Sequence, residues 1–562
     1  MTVRRWQLVQ PQPELAQQVS SAVNVSPLVA QLLLNRQIRS HSQALSFLSP
    51  PPHAPTPLDL PELPVALAII QHALTQQLPI LVYGDYDVDG MTSTAIMVDC
   101  LRKLGGKVTY YLPNRFTDGY GLTHAIIDTI HTHQIGLLIT LDCGVTNVSE
   151  IQAIKTQTQA QVLVFDHHTL PATLPPADAM VNPKQLPPEH PMARLCTAGL
   201  VYHVVSAFIA TYHHPIDPHQ YLDLAALGTV ADVVPLIGEN RRLVYHGLPV
   251  IASRQRLGLR ALLTVSEFTK PTVSTRDIGF VIAPRLNAAG RLASAMMGVQ
   301  LLLSTQESDA MAVAQTLHRM NEDRQAIGVS MLKDAITQAQ SQVDDHKVIV
   351  VHGINWHAGV IGITASRLVE QFARPVVMVT ESDGVCRGSA RTTGSVDIYS
   401  LLATCQHRMD KFGGHREAAG FSLAADQLSA FREELHAAAL SRITDHELAP
   451  ILRIDAAISP ADLTLSFADE LAQLAPFGQG NPAPVWYCNE LKPVDFKRVG
   501  SGDHLKVTFV DAHGHLAIDA IGFGLGKKLP HCYQSSVEVA FTLERNEWRG
   551  NVLPQLQLLD IR

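Results

Sequence analysis

Three short apolar runs in the first half of the chain each end in aspartate or histidine, and this pattern constrains the fold more than any other feature. The runs are LPILVYGDYDVDG (78–90), GLLITLDCG (136–144) and QVLVFDHH (161–168). Such runs indicate buried strands of a parallel sheet, whose carboxyl ends meet at one edge. The side chains expected at that edge are Asp85, Asp87, Asp89, Asp142, Asp166, His167 and His168. The sequence therefore predicts a metal site there.

Length and composition indicate a folded protein of several domains. At 562 residues the chain exceeds what one hydrophobic core supports, so about three or four domains are expected. The seven cysteines are scattered without a paired framework, and the N-terminus lacks an apolar signal region. We therefore expect a cytoplasmic protein, not bound to a membrane. The net charge of −8 means that any contact with nucleic acid depends on local arginine placement.

The order of predicted helices and strands indicates an α/β protein. From residue 65, strand and helix patterns alternate, which predicts a domain with a mainly parallel sheet. Residues 305–345 lack proline and predict a long helix leading to a second α/β lobe. Five short strand patterns near the C-terminus predict an oligonucleotide-binding (OB) type barrel. The predicted division is a helical lead-in and proline-rich linker (1–64), a catalytic domain (65–263), a helical connector (264–345), a second lobe (346–450) and an OB-like domain (451–562).

The segment GDYDVDG (84–90) places carboxylates at alternate positions. Several converging carboxylates repel one another unless divalent cations neutralise them, and nearby histidine favours Mn²⁺ or a similar ion. An EF-hand calcium loop starts with the same pattern, but its twelfth position requires glutamate, and here that position is Ile96. A purely structural turn is the remaining alternative for this segment taken alone.

Four motifs occur in order along the first half of the chain: GDYDVDGMTSTA (84–95), LDCG (141–144), DHH (166–168) and GTVADVVPL (228–236). Together they resemble the motifs of the DHH phosphoesterase superfamily. FGGHREAAG (412–420) resembles the signature of the DHH-associated C-terminal domain. Within the superfamily, the RecJ family of single-strand-specific 5′→3′ DNA exonucleases is indicated by APRLNAAGRL (283–292), WHAGVIGITASRL (356–368), RGSART (387–392) and LAPFGQGNPAP (474–484).

The resemblance implies two divalent ions, Mn²⁺ or Mg²⁺, for phosphodiester hydrolysis. Asp87 would bind the first ion, Asp142 would bridge both, and the second would be held by Asp89, His167 and Asp232. His168 would face the scissile phosphate, with Asp85 and Asp166 as catalytic or supporting groups. Many superfamily members have histidine where this chain has Tyr83, and this departure bears on metal preference.

The resemblance also implies contacts with DNA. Arg115, Ser389 and Arg391 would hold the 5′ end, while Arg285 and Arg291 would line the path beside the metals. Tyr120 would stack on a base or wedge the strand entry, and His415 would reach phosphate. The implied protein is a monomer in DNA repair and recombination that releases 5′-mononucleotides, with single-strand-binding protein and a RecQ-type helicase as partners.

Two other classes of protein stay open at this point. One is a DHH phosphoesterase for small substrates: an oligoribonuclease with nucleotide phosphatase activity, a cyclic-dinucleotide phosphodiesterase or a pyrophosphatase. Such chains are commonly shorter and are not expected to carry the C-terminal barrel. The other is a non-catalytic replication scaffold that has lost its metals, whereas every expected metal ligand is present in this chain.

Overall fold

The computed structural model describes residues 4–52, 59–114, 121–392, 394–514, 516–548 and 550–562. The chain divides into two compact units, a larger one of residues 8–318 with 454–562 and a smaller one of residues 1–7 with 319–453. Within the described ranges, no helix has both the length and the apolar character needed to cross a bilayer.

The chain starts with one strand and three helices. These are β1 (Arg5–Leu8), α1 (Pro13–Val23), α2 (Pro27–Asn35) and α3 (His41–Leu48). Proline at the first position of α1 and α2 fixes a helical φ where no amide partner is needed. The Ser26 and Ser40 side chains accept amide hydrogen bonds and thereby cap α2 and α3.

The main sheet of the larger unit is parallel throughout, and the three apolar runs form its centre. Its order is β3-β2-β4-β5-β6, with strands β2 (Pro79–Gly84), β3 (Lys107–Tyr111), β4 (Leu137–Leu141), β5 (Gln161–Phe165) and β6 (Ala179–Val181). Ile139 of β4 pairs with Val82 of β2 and Leu163 of β5, so these strands end at the same level. β4 is buried on both faces, which explains its unbroken apolar sequence.

Helices connect these strands and complete the α/β fold that the sequence predicted. They are α4 (Leu63–Thr75), α5 (Val88–Lys103), α6 (Ile126–His133), α7 (Val148–Gln157), α8 (Thr197–Tyr212), α9 (Leu222–Ala231), α10 (Gly238–Ala252) and α11 (Leu257–Val265). Ile130 of α6 and Ile154 of α7 share one core cluster with Leu138 and Val162 of the sheet. By contrast, α5, α8 and α9 are buried over most of their surface, because they pack on one another.

Four further helical segments precede the smaller unit. They are α12 (Thr275–Asp277), a π-helical turn at Ile278–Ile282, α13 (Ala283–Leu292) and α14 (Met296–Leu302). The helix α15 (Glu307–Gln340) is 34 residues long, and the division between the units falls inside it. A long helix was predicted here from residues 305–345, which are rich in helix formers.

The smaller unit is built on a mixed five-stranded sheet of order β10-β11-β9-β8-β7, in which β7 and β8 are parallel and the other neighbours antiparallel. Its elements are β7 (Ile349–Ile354), α16 (Ile361–Phe372), β8 (Val376–Ser382), β9 (Val385–Arg391), α17 (Ile398–Ala403), β10 (Lys411–His415), β11 (Ala418–Ala424), α18 (Leu428–Arg442), α19 (Asp445–Leu448) and β12 (Ile451–Ile454). Apolar clusters cover both faces of this sheet.

The C-terminal part of the larger unit is a closed five-stranded β-barrel. Its elements are β13 (Ala456–Ala457), α20 (Leu465–Ala472), β14 (Trp486–Val499), β15 (His504–Val510), β16 (Ala517–Gly522), β17 (Val537–Trp548) and β18 (Asn551–Ile561). The pairing of β14 with β17 closes the barrel. Trp486, Phe509 and Phe541 are fully buried in its core. The five strand patterns of the sequence correspond to β14–β18, and the predicted OB-type barrel is confirmed.

Candidate metal centre

The structure brings the acidic and histidine side chains from the ends of β2, β4 and β5 together. Asp142 lies in the middle because β4 is the central strand of the three. Its φ of +65° falls in the left-handed region, which is rare outside glycine and concentrates at functional sites. The Asp142 amide donates to the Phe165 carbonyl of β5 at 3.0 Å, which holds this turn in place.

The donor atoms fall into overlapping groups that could each hold a metal ion. Asp85, Asp87 and Asp142 form one group, Asp89, His167 and Asp232 form a second, and Asp142, His167 and His168 form a third that shares a residue with each of the others. Within each group the potential ligand atoms lie within 4.8 Å of one another. His167 Nε2 lies 3.4 Å from Asp142 Oδ1 and 3.6 Å from Asp232 Oδ2, so it faces the acidic cluster directly. The arrangement therefore offers two adjacent ion positions with Asp142 between them.

The start of α5 positions the candidate ligands of the GDYDVDG segment. Asp87 is the N-cap residue, and its Oδ1 accepts the amides of Asp89 and Gly90 at 2.9 and 3.1 Å. Asp89 lies in the first turn, where the helix dipole favours a negative charge. Gly228 of α9 allows close packing here, because a Cβ at this position would lie 2.9 Å from Asp89 Oδ1. The same packing brings Asp232, the C-cap residue of α9, to the cluster.

The N-terminus of α8 also orients the cluster, and sequence reasoning missed it. The backbone amides of Thr197 and Ala198 each donate to one oxygen of Asp89 at 2.7 Å. The Thr197 hydroxyl donates to Asp142 Oδ1 at 2.9 Å. A polar residue followed by small residues at the start of an apolar helix was the available signal, but nothing local linked it to the strand ends. These hydrogen bonds fix the orientation of two carboxylates.

Burial and mutual repulsion raise the pKa values of the central carboxylates. Burial and the charges of the neighbouring aspartates raise the pKa of Asp142 well above its ordinary value. Burial and Asp87 raise the pKa of Asp89 to about 6, and burial with Asp89 and Asp87 raises that of Asp232 to about 9. Such a cluster is unfavourable by itself and is relieved by bound cations.

The two adjacent histidines have opposite electrostatic environments. Burial, with the charge of His168, lowers the pKa of His167 to about 3, so His167 is neutral and suited to metal ligation. The His168 side chain is 43% exposed, and although partial desolvation opposes protonation, a 2.7 Å hydrogen bond to Asp166 and that residue's charge raise the pKa of His168. Asp166 is held in turn, because its Oδ2 accepts the Val145 amide at 3.0 Å. His168 is therefore the member of the pair suited to donate to an anionic group.

The residues present fit divalent metal ions. Carboxylate oxygens with one imidazole form a donor set that suits Mn²⁺ or Mg²⁺. In addition, Asp232 Oδ2 is buried and has no hydrogen-bond partner within the described part of the chain. Tyr83, where many superfamily members have histidine, donates its hydroxyl to the Gly121 carbonyl at 2.9 Å. Its hydroxyl thus serves the packing of this region.

Two arginines predicted to bind DNA lie on α13, close to the metal loop. Gly290 makes this approach possible, because a Cβ there would lie 2.6 Å from the Tyr86 carbonyl oxygen. Arg285 is part-buried and donates to His318 Nδ1 at 3.1 Å and to the Val281 carbonyl at 2.6 Å. Arg291 lies in the last turn of the same helix. Both residues are thus carried by a helix that packs next to the centre.

The other described residues predicted to bind DNA belong to the smaller unit. Ser389 and Arg391 lie on β9, and the Arg391 guanidinium donates to the Ser389 hydroxyl at 3.0 Å. His415 is exposed at the end of β10 and lies two strands away from β9. Arg115 and Tyr120 fall outside the described residues, so their predicted roles stay predictions.

Lys184 is a second group that sequence reasoning missed. Lys184 is exposed and lies near Asp166 and Asp232, and partial desolvation lowers its pKa. Asn182 holds this loop against the histidine loop, because its side chain donates to the His168 carbonyl at 3.0 Å and accepts the Lys184 amide at 2.9 Å. The turn-rich sequence around these residues gave no signal of a site.

A doubly wound parallel domain with this acid and histidine cluster at its carboxyl edge defines a DHH phosphoesterase. Family models agree: residues 79–229 match the N-terminal domain of the DHH family, residues 345–440 match the DHHA1 domain, and residues 454–560 match the RecJ OB domain. The chain is also 34% identical over 562 residues to the single-stranded-DNA-specific exonuclease RecJ of Haemophilus influenzae, covering 96% of each chain. The chain belongs to the RecJ family.

Solved structures give the same result. A crystal structure of RecJ from Thermus thermophilus in complex with Mn²⁺ superimposes with a TM-score of 0.86 at 32% identity, covering 99% of this chain and 79% of that chain. A second structure, of exonuclease RecJ bound to manganese, covers 69% of this chain and 96% of its own with a TM-score of 0.60 at 36% identity. Both proteins are described as bound to manganese, the ion that this donor set suits.

Proposed function

We propose that this protein is a metal-dependent, single-stranded-DNA-specific 5′→3′ exonuclease that hydrolyses phosphodiester bonds and releases 5′-mononucleotides in DNA repair and recombination. The observation that carries this proposal is the acidic and histidine cluster around Asp142, in a chain that matches RecJ along nearly its full length. The cluster has the donor atoms for two divalent ions, and the chain has the domains of a RecJ exonuclease.

The proposed metal ligands follow the two groups of donor atoms. Asp87, with Asp85 beside it, would hold the first ion, and Asp142 would bridge it to the second. The second ion would be held by Asp89, His167 and Asp232. When bound, such ions lower the pKa of water and neutralise charge on the phosphate.

The protein's own groups have separate proposed roles. His168, whose pKa is raised by its hydrogen bond to Asp166, would donate a hydrogen bond to the scissile phosphate as negative charge increases there. The N-terminus of α8 would hold Asp89 and Asp142 in one orientation, so that the cluster is preorganised before substrate arrives. Lys184 would add a positive charge beside the centre.

The proposed DNA contacts follow the residues named from the sequence. Arg115, Ser389 and Arg391 would hold the 5′ end, because an arginine fork matches phosphate oxygens, and His415 would reach phosphate. Tyr120 would stack on a base. Arg285 and Arg291 would bind the backbone next to the metals. The five-part domain division given above, with the barrel as a nucleic-acid-binding domain, belongs to the same proposal.

Partners and location are also proposed. Single-strand-binding protein and a RecQ-type helicase would present the single-stranded substrate, and the protein would act as a monomer. A cytoplasmic location agrees with the seven cysteines, all of which are buried free thiols.

A small-substrate DHH phosphoesterase is the alternative that the metal centre alone would also allow. The barrel formed by β14–β18 argues against it, because a barrel of this type serves to bind oligonucleotides rather than to cleave a dinucleotide.

The test is a substrate panel with purified protein and Mn²⁺: 5′-phosphorylated single-stranded DNA, the matching duplex, single-stranded RNA and a dinucleotide. The proposal expects degradation of the single-stranded DNA, with little on the duplex, and loss of activity in Asp142→Ala. Activity restricted to the dinucleotide or RNA would instead support the small-substrate class. Binding without metal-dependent cleavage would support a scaffold.

A further inference from the structure

Three side chains that commonly bind metals lie together in the smaller unit, outside the centre described above. His352 is on β7, Glu381 on β8 and Cys386 on β9, three neighbouring strands. Cys386 lies directly opposite Glu381, and His352 pairs with Val379, two residues before Glu381. Because side chains alternate along a strand, these three residues share one face of the sheet.

The donor atoms of the three residues are close enough to share an ion. An imidazole nitrogen, a carboxylate oxygen and the thiol sulfur all lie within 4.8 Å of one another. His352 Nε2 lies 3.1 Å from Glu381 Oε2. Nevertheless, this buried nitrogen has no partner in hydrogen-bond geometry within the part of the chain that the structure describes. The imidazole and the carboxylate are therefore within ion-pair distance of each other, and both lie within reach of the thiol.

We propose that His352, Glu381 and Cys386 bind one Zn²⁺ ion, with water completing a tetrahedral shell. Nitrogen, oxygen and sulfur are the three donor types that zinc accepts in proteins. The thiolate separates this site from the catalytic centre, whose oxygen-rich donor set suits Mn²⁺ and Mg²⁺. On binding, the Cys386 thiol loses its proton to solvent as the zinc–sulfur bond forms, and the ion offsets the charge of Glu381.

The surroundings of the cluster suit a preformed site. All three residues are carried by strands, and both backbone groups of His352 are held by the Gln338 side chain at 3.0 and 2.8 Å. Cys386 is fully buried, whereas the Glu381 side chain is 32% exposed. An ion can therefore enter from the Glu381 side and reach the sulfur behind it.

Zinc at this position would link β7, β8 and β9. Strand β9 continues from Cys386 to Ser389 and Arg391, which are proposed above to hold the 5′ end of DNA. The ion would therefore stabilise the strand that carries these two residues, without touching DNA itself. The zinc site does not depend on the proposed nuclease function, because its ligands lie outside the metal centre.

Cobalt substitution of the full-length, metal-stripped protein tests the proposal, because a thiolate bound to Co²⁺ gives a near-ultraviolet charge-transfer band. The wild type is expected to show this band and to lose it when Zn²⁺ is added. Cys386→Ser should abolish the band, whereas Cys405→Ser, which changes another buried thiol of the same unit, should keep it. Asp142→Ala should also keep the band, since that residue belongs to the other centre.

Ligand variants extend the test beyond the thiol. Mutating a residue that only hydrogen-bonds to a metal ligand typically lowers metal affinity by about 10–100-fold. His352→Gln removes a ligand itself and should therefore weaken Co²⁺ binding at least about tenfold. Far-ultraviolet circular dichroism and an unchanged urea unfolding midpoint in EDTA establish that each ligand variant is folded. Absence of the band in the wild type, or its retention in folded Cys386→Ser, would overturn the proposal. Nuclease activity is read separately, so failure of either proposal is recognised independently.

Discussion

Replacing Asp142 with asparagine is expected to stabilise the metal-free protein while abolishing its metal-dependent activity. Asp142 is 2% exposed and is surrounded by the carboxylates of Asp85, Asp87, Asp89 and Asp232. Asparagine has the same shape, tolerates the left-handed backbone at φ +65° and can still accept the Thr197 hydroxyl. The substitution therefore removes chiefly one buried charge from a repulsive cluster.

The neighbouring Asp89 sets the scale of this effect. Its pKa is raised from 3.8 to about 6, first by burial and then by Asp87. At neutral pH this carboxyl ionises more readily in the unfolded chain than in the folded protein. The raised pKa of Asp89 therefore lowers the free energy of unfolding by about 3 kcal/mol. The pKa of Asp142 is raised for the same reasons, and asparagine still loses solvation on burial. We therefore expect Asp142→Asn to raise the free energy of unfolding of the metal-free protein by about 1–3 kcal/mol. The gain should disappear as the pH falls toward the ordinary value of 3.8.

Urea unfolding in EDTA and in Mn²⁺ measures this prediction directly. In EDTA, Asp142→Asn should unfold at a higher urea concentration than the wild type. Adding Mn²⁺ should raise the unfolding midpoint of the wild type much more than that of the variant. Asp128→Asn, the same change on an exposed face of α6, is the matched control. It removes a charge from the first turn of that helix, so it should lower both midpoints slightly and equally. A variant less stable than wild type in EDTA, or one stabilised equally by Mn²⁺, would refute the reasoning.

Three further predictions follow from the same structure. Thr197→Val removes the hydroxyl that donates to Asp142, a proposed metal ligand, and should raise the Mn²⁺ concentration for half-maximal activity about 10–100-fold. Metal titration of the nuclease rate measures this change, and an unchanged Mn²⁺ requirement would exclude the role. Burial and the neighbouring carboxylates raise the pKa of Asp232 to about 9 in the metal-free protein, so Mn²⁺ binding at neutral pH should release protons and become tighter as the pH rises toward that value. Calorimetry in two buffers of different ionisation enthalpy counts the protons released. A count of zero would mean that the carboxylates were already ionised and would contradict this prediction. Arg241→Met leaves the carbonyls of Phe47 and Leu474 without their buried guanidinium donor. It should lower the free energy of unfolding, measured in urea, by at least about 3 kcal/mol and leave the specific activity of the folded enzyme unchanged. A decrease of less than about 1 kcal/mol would contradict this prediction.

The sheet and the edge where the metal centre lies were predictable because their signals are local. β2, β4 and β5 are continuous apolar runs, and each is followed at once by its polar residues. The parallel arrangement then requires that those residues meet. By contrast, β6 has only three residues in a proline-rich stretch, which is too short to give a strand pattern.

The groups that orient the proposed metal ligands could not be predicted, because they act across large separations in sequence. Thr197 lies 108 residues from Asp89, and only the packing of α8 against α5 brings the two together. The left-handed backbone of Asp142 gave no signal either, since it results from the hydrogen bond to β5. Spacing alone also did not show that His352, Glu381 and Cys386 share a sheet face.

The central claim is that the cluster around Asp142 is a metal centre for removing nucleotides from the 5′ end of single-stranded DNA. The most direct test follows a 5′-end-labelled single strand with Mn²⁺, comparing wild type with Asp142→Asn. The account predicts that labelled 5′-mononucleotide is the first product of the wild-type enzyme and that the folded variant yields none. Labelled fragments that shorten stepwise from the 3′ end, or comparable activity in the variant, would contradict it.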